Sequence, residues 1–468
     1  MIKKYHGVVN LIFHILIAFI AFPVLLFSQK EKKTKAPKDK SSNKFTTTAL
    51  QKMAGLENVR QKGGAIFDIF PNMVQIPGGT YEVGKNDINY RGKTREVTIS
   101  SFWMNETEVT NGQYRMFVEW VRDSLAARDL GYIFVNPGGD TIIDWNRAKK
   151  IPYGDPVTMA KLTSIIVDPD KRLSSKIEID PNKLVYAVNG FDYEMAARKE
   201  NAGRSARDFI YHYVQNIYPD TLVWMRDFQY SFNQPMSQLY FSHPTYKNYP
   251  VVGVSWKQAN AYCDWLSHQL NALRVLRGDA PDAQFRLPTE TEWEYAAWAG
   301  GDTTIYGLPN NNMKPKKETK KKPPKRKKGD TTTVAEVQPA PESTIPNFTF
   351  SKKSLFCQLV GSSGYNAFGL YDMDGNVAEW TSSSYYEGGQ SFANKVNPDI
   401  HWNSFDSDPE YMKRKVVKGL SWKDTNFKFS PSLRVSEVQD ESNSFTGFRT
   451  VINLTSDYIQ GQKVKLKK

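Results

Sequence analysis

The chain has 468 residues, 40% of them hydrophobic, and a net charge of +13. This length and composition suffice for one large core or two smaller ones, and a mean hydropathy of −0.54 excludes a polytopic membrane protein. The excess charge lies in two runs: residues 314–328 hold ten Lys/Arg and one Glu, and residues 30–40 hold six Lys and two acidic residues. Because these runs account for the whole excess, no folded surface is predicted to be strongly basic, and nucleic-acid binding is not expected.

The first 28 residues predict export from the cytoplasm. Lys3 and Lys4 precede an apolar run from residue 8 to residue 27, and Ser28 ends it. A basic start, an apolar stretch and a small residue are typical of a cleaved secretory signal. An uncleaved membrane anchor stays open, because about 20 apolar residues can span a bilayer.

The two cysteines, Cys263 and Cys357, both lie far from the N-terminus. Neither can therefore carry a bacterial N-terminal lipid. They could pair in an oxidising compartment, but two buried free thiols are favoured.

The folded body is predicted from residue 73 to residue 452, after a flexible segment at 29–72. Strands are expected around a Gly-Gly turn at 78–79 and again at 95–103, where polar and apolar residues alternate. Thr110 or Asn111 then caps an amphipathic helix.

Residues 123 to about 240 show helical and loop patterns with many Asp and Pro, and we interpret them as a large insertion. Ser255 is expected to cap a second helix that runs to Leu270, and Thr289 with Glu292 forms a capping-box pattern. Residues 310–345 are a low-complexity loop that contains the basic run, and 453–468 form a basic tail.

Seven motifs stand in an order that resembles the formylglycine-generating-enzyme (sulfatase-modifying factor) family. The resemblance implies an α+β fold related to C-type lectins, with little regular secondary structure and here a large insertion. Such a fold needs side chains to satisfy its loops, so Arg286, Glu292, Glu294, Glu379 and Arg449 are expected to be internal charge partners rather than a catalytic acid/base pair. The motifs are 76–80 (IPGGT), 108–111 (EVTN), 250–256 (PVVGVSW), 286–297 (RLPTETEWEYAA), 369–377 (GLYDMDGNV), 418–422 (KGLSW) and 447–449 (GFR).

The resemblance implies an oxidase that holds copper with two cysteine thiolates, in the segment after a Gly-Gly-Ser-Trp/Tyr motif. That segment is 423–432 here and contains no cysteine, and Leu420 replaces the second glycine of the motif. Soft thiolates suit Cu(I), and oxygen ligands do not replace them. We therefore predict no catalytic residues, no copper and a non-enzymatic protein. The histidines are too scattered to suggest iron.

Family members also bind calcium, on a loop carried here by Asp372, Gly375, Val377 and Glu379. The resemblance implies side-chain oxygens from Asp372 and Glu379 and main-chain carbonyls from Gly375 and Val377, a hard-oxygen set that suits Ca²⁺. The alternative is the same loop without metal, with Glu379 turned to an arginine.

One branch of the family, the gliding-motility lipoproteins of the GldK/PorK type, shares further strings with the chain. This resemblance implies a structural subunit of a periplasmic ring under the outer membrane, built with an N-type partner for type IX secretion. The chain departs from the branch in having no lipid-bearing cysteine, so a partner or the N-terminal segment must attach it. A family enzyme with altered metal chemistry and a calcium-dependent glycan- or surface-binding module stay open. The strings are 117–124 (FVEWVRDS), 218–221 (YPDT), 227–236 (DFQYSFNQPM) and 240–246 (YFSHPTY).

Overall fold

A computed structural model gives the protein as a mixed helix and sheet structure. The predicted signal, most of the predicted flexible segment, the basic loop and the tail lie outside the residues that the structure describes. The described residues are 44–45, 72–84, 94–135, 141–191, 196–197, 199–227, 239–276, 280–299, 356–389, 393–424 and 430–453.

The helices and strands are numbered in chain order. The strands are β1 Lys44–Phe45, β2 Met73–Ile76, β3 Gly79–Val83, β4 Arg95–Ile99, β5 Phe102–Asn105, β6 Ile133–Val135, β7 Thr141–Ile143, β8 Val185–Phe191, β9 Ile210–Asn216, β10 Phe285–Arg286, β11 Ala378–Ser384, β12 Arg414–Lys418, β13 Val435–Val438, β14 Thr446–Gly447 and β15 Val451–Ile452. The α-helices are α1 Asn111–Asp129, α2 Trp145–Ala148, α3 Pro156–Lys161, α4 Val223–Asp227, α5 Trp256–Leu276 and α6 Glu290–Ala297.

The main sheet joins the two ends of the body. Its strand order is β1-β2-β5-β15-β10, so β5 lies between the first and the last strands of the body. Met104 pairs with Val74 on one side and with Val451 on the other. Since all three side chains are buried, this pairing packs strands from both ends of the body into one core layer.

A second sheet, with the order β13-β12-β11-β14, carries the residues of the candidate site. Strand β11 pairs antiparallel with β12 and parallel with β14. Glu379 lies opposite Lys418 on β12 and next to Gly447 on β14. The sheet therefore brings the 369–377, 418–422 and 447–449 motifs together.

The two long helices begin where the sequence predicts. Thr110 caps α1, and its capping box is completed by Gln113. Ser255 and Gln258 exchange the equivalent bonds at the start of α5, which continues six residues beyond the expected end. The helices meet through aromatic rings, with Tyr114 stacked on Tyr262 at 5.6 Å between centroids. Because both rings are fully buried, this contact lies at the centre of the core.

The inserted segment folds against the body. It begins inside α1 and contains two β-hairpins, β6–β7 and β8–β9, where helix and loop patterns were expected. Its buried side chains join the main core, among them Leu162, Ile165, Tyr186 and Ile217. The apolar alternation of β8, with Tyr186 and Val188 turned inward, is the strand signal behind this difference.

Both cysteines are free and buried, as the sequence predicts. Within the described ranges, no helix is both long and apolar enough to cross a bilayer.

Candidate functional site around the Trp422 loop

The loop after β12 replaces the family's Gly-Gly turn with a strained Gly-Leu turn. Gly419 has φ +97° and Leu420 has φ +56°, both in the left-handed region. A Cβ on Gly419 would lie 3.2 Å from the Trp293 ring, so a side chain there would also require the ring to shift by a few tenths of an ångström. Leu420 tolerates its backbone conformation at a cost of about 1–3 kcal/mol, which the surrounding packing must offset.

Trp422, at the end of this turn, is covered by aromatic residues from the insertion. Its ring stacks on Trp224 with centroids 5.6 Å apart and 17° between planes. Trp224 contacts Tyr240 at 5.0 Å, and Phe356 contacts Trp422 at 6.1 Å. Trp422 Nε1 donates to the Ser444 carbonyl at 3.1 Å, which fixes the indole. Trp224 of the insertion therefore packs against the half-buried Trp422 indole.

Asp424, the second residue of the 423–432 segment, is engaged in local hydrogen bonds. The Asp424 carboxylate accepts from the Ser421 backbone N–H at 2.9 Å and from the Ser421 hydroxyl at 2.6 Å. This bonding closes a tight turn. Residues 425–429 of the segment lie outside the described residues.

Cys357 is the thiol that belongs to this aromatic cluster. Its Sγ lies 3.1 Å from the Tyr240 hydroxyl. Burial raises the pKa of Cys357 to about 12, so the group is a neutral thiol at pH 7. The other thiol, Cys263, is on α5 in the main core and burial raises its pKa as well.

The structure places Glu379 against Arg449, the alternative foreseen for a loop without metal. The Arg449 Nη2 and Nε donate to the two Glu379 oxygens at 2.6 and 2.7 Å, and Trp293 Nε1 donates at 2.7 Å. Both members of the ion pair are fully buried. Asp372 accepts from the Gly361 N–H and from Ser363, and adopts φ +57°.

Two further carboxyl groups lie in this region and were not predicted to belong to the site. Burial raises the pKa of Asp374, between Asp372 and Gly375, to about 6. Glu108 accepts from Asn376 Nδ2 at 3.0 Å, but its buried Oε2 has no hydrogen-bond partner. Burial, reinforced by the negative charge of Asp372, raises the pKa of Glu108 well above its usual value.

Asp374 and Glu108 are relevant to the calcium prediction, but they do not form a metal site with the predicted ligands. Among the described residues, no group of three or more His, Cys, Asp or Glu side chains is arranged to hold a metal ion. The chemistry of Asp374 and the orphaned Glu108 oxygen nonetheless suits a hard cation. The loop Asp372, Gly375, Val377 and Glu379 therefore stays a prediction.

The other expected charge partners form buried structural pairs. Arg286 makes a two-pronged contact with Glu292, with both distances 2.7 Å. Glu294 accepts from Ser432 at 2.8 Å and from Lys418 at 3.3 Å. Fully paired and buried groups of this kind stabilise a fold and are not positioned to exchange protons with a substrate.

The fold and this site define the class of protein. Residues 68–454 match the family of the sulfatase-modifying factor enzyme 1-like domain, and the chain belongs to this family.

Within the family, the chain is similar to both inactive and active members. It is 24% identical to the inactive C-alpha-formylglycine-generating enzyme 2 of Bos taurus over 386 residues, which cover 81% of this chain and 87% of that protein. It is 23% identical to the formylglycine-generating enzyme of Mus musculus over 384 residues, which cover 81% of this chain and 74% of that protein. Among solved structures, PvdO from Pseudomonas aeruginosa aligns with a TM-score of 0.37 and 17% identity, covering 82% of this chain and 95% of that one.

Proposed function

We propose that the chain is a non-catalytic, structural member of its family. The observation that carries the proposal is the stack of Trp224 on Trp422, which packs an aromatic side chain of the insertion against the loop that follows β12. The cysteine-free segment 423–432 is consistent with this role. The similarity to inactive formylglycine-generating enzyme 2 gives a precedent for a family member without activity.

We further propose that the chain assembles into a periplasmic ring at the outer membrane, in the GldK/PorK branch, for type IX secretion and gliding motility. The shared strings of the insertion support this placement. The ring would contain many copies of this chain and the N-type partner. The exposed side of β8–β9, which includes Val185, Ile210 and Val214 at 37–45% exposure, offers apolar surface for such contacts.

Complementation with an altered Asp424 tests the non-catalytic role. In cells that lack the native chain, Asp424→Asn should preserve secretion and motility, because the amide oxygen can still accept from Ser421. The purified variant and the native chain should both leave a thiol-containing peptide unoxidised in the presence of copper. Thiol oxidation by the native chain that Asp424→Asn abolishes would overturn the proposal.

A calcium-dependent binding module is the second candidate, favoured by the half-buried Asp374 and the orphaned Glu108 oxygen. It draws on the relation to C-type lectins and predicts glycan or surface binding that a chelator abolishes. The third candidate is an enzyme with altered metal chemistry, which predicts a pocket near Trp422 lined by convergent polar groups.

A further inference from the structure

The short hairpin β6–β7 exposes three consecutive apolar side chains. Ile133, Phe134 and Val135 are 39%, 52% and 64% exposed. They pair with Ile143, Ile142 and Thr141 of β7. A two-stranded hairpin with apolar residues on both faces is marginal in water, and such a run on a surface marks a contact site. We therefore expect an apolar partner to contact this exposed run.

The base of the hairpin is rigid. The Asp144 N–H donates to the Tyr132 carbonyl at 2.9 Å and closes the stem. The next residue, Trp145, stacks on Trp120 of α1 with centroids 5.3 Å apart. The apolar strand β6 therefore projects from a base that is packed against α1.

The same base carries exposed positive charge. Arg147, Lys149 and Lys150 are all exposed, and the Arg147 guanidinium lies 3.8 Å from the Tyr132 ring centroid, directly behind β6. The nearby Asp144 carboxylate is occupied as the cap of α2, accepting from the N–H groups of residues 146 and 147. With three basic residues and one acidic residue, residues 144–150 have a net charge of +2.

We propose that β6–β7 is a membrane-contact hairpin, which inserts its apolar strand into an anionic lipid surface while the basic residues at its base meet the headgroups. Three residues of strand span about 10 Å, which matches the depth to which interfacial elements insert. A protein partner recognised by apolar contact alone would leave the exposed basic residues unexplained. The proposal rests on the proposed location at a membrane and supplies an attachment that needs no lipid-bearing cysteine.

A local fluorescent label in the full chain tests the proposal independently of the N-terminal segment. Both native cysteines are buried, so Val135→Cys can be labelled selectively with an environment-sensitive dye. With vesicles of phosphatidylethanolamine and phosphatidylglycerol, its emission should shift to the blue. The same label on Leu173→Cys, fully exposed elsewhere in the insertion, should not shift.

A charge variant tests the role of the base. Lys149→Gln and Lys150→Gln should each raise the lipid concentration that gives half of the emission shift about fivefold. Purely zwitterionic vesicles should give little shift. A label at 135 that stays in water while the protein floats with the vesicles would overturn the proposal and leave the scaffold role untouched. A concentration-dependent shift without vesicles would also overturn it, because that result would indicate a second copy as the partner.

Discussion

Trp224 lies at the centre of the aromatic cluster that packs against the Trp422 loop. It is 2% exposed and contacts Trp422, Tyr240 and Phe356. Trp224→Ala should lower the free energy of unfolding by about 3–5 kcal/mol, because it empties the centre of this cluster. Urea denaturation of the full chain measures the effect.

Leu222→Ala is the matched control for Trp224, two residues away and 63% exposed. Its effect should stay within about 0.5 kcal/mol. Equal losses for the two variants would mean that the Trp224–Trp422 stack is not a stabilising contact.

The pair of Glu379 and Arg449 makes a second prediction for single residues. Glu379→Gln or Arg449→Met should each destabilise by about 3–5 kcal/mol, because each leaves a buried charge without its partner. The double variant should lose less unfolding free energy than the sum of the two single losses, because neither buried charge is then without its partner. Additive losses in a double-mutant cycle would contradict a coupled pair, and Arg226→Gln, in an exposed pair with Asp220, should cost less than about 1 kcal/mol.

Calcium can be tested on the same loop. If the 372–379 loop binds Ca²⁺, excess Ca²⁺ should stabilise the native state and raise the Tm. At a free Ca²⁺ concentration of 100 times the Kd, the added free energy of unfolding should be about 2.7 kcal/mol. Mg²⁺ should act more weakly, because it demands a stricter geometry. Asp374→Asn should reduce the Ca²⁺-dependent rise, and a Tm that neither Ca²⁺ nor a chelator changes would exclude the site.

Interactions close in sequence were predictable, and those far apart were not. The capping boxes of Thr110–Gln113 and Thr289–Glu292 follow from residues three apart, so the sequence alone indicates them. The partner of Trp422 lies 198 residues earlier, in a segment where only loops and helices were expected. No local pattern links such residues, because tertiary packing decides their contact.

At the level of elements, one polar contact fastens the β8–β9 hairpin to α5. The Tyr186 hydroxyl on β8 donates to Asp264 Oδ2 at 2.8 Å, and the same oxygen lies 3.2 Å from His268 Nδ1. Burial alone would lower the pKa of His268, but its hydrogen bond to Asp264 and the charge of Asp264 outweigh burial and raise the pKa.

This contact predicts a pH-dependent stability. Because the folded pKa of His268 is raised above its unfolded value of about 6.5, the stabilisation is fully present below pH 6.5 and is lost as the pH rises through the folded pKa. The native chain should therefore be more stable than His268→Gln at pH 5.5, with the difference shrinking at pH 8.5. Unfolding curves at the two pH values measure this, and a difference that grows with pH would contradict it.

The strands of the β8–β9 hairpin were only partly predictable from the sequence. The alternation of Tyr186 and Val188 with outward residues was a readable strand signal, but the many Asp and Pro around it favoured loops and helices. Tyr213 on β9 faces Val188, and burial raises its pKa, so this face of the ribbon belongs to the core. Where both hairpin strands are short and separated by 18 residues, only the folded body decides their pairing.

At the scale of the whole molecule, the insertion packs Trp224 against the Trp422 loop and exposes apolar side chains on the β6–β7 and β8–β9 hairpins. The rest of the body contains the fully buried ion pair of Glu379 and Arg449. This division suits a scaffold whose contacts lie in the insertion.

The most direct test is the mass and shape of the complex recovered with the tagged full chain from outer-membrane extracts. A single chain has a mass of 53.4 kDa. A ring subunit should be recovered as a particle of many copies together with a second protein, with ring-shaped images by electron microscopy. Recovery of a free monomer that oxidises a thiol-containing peptide would contradict the scaffold function.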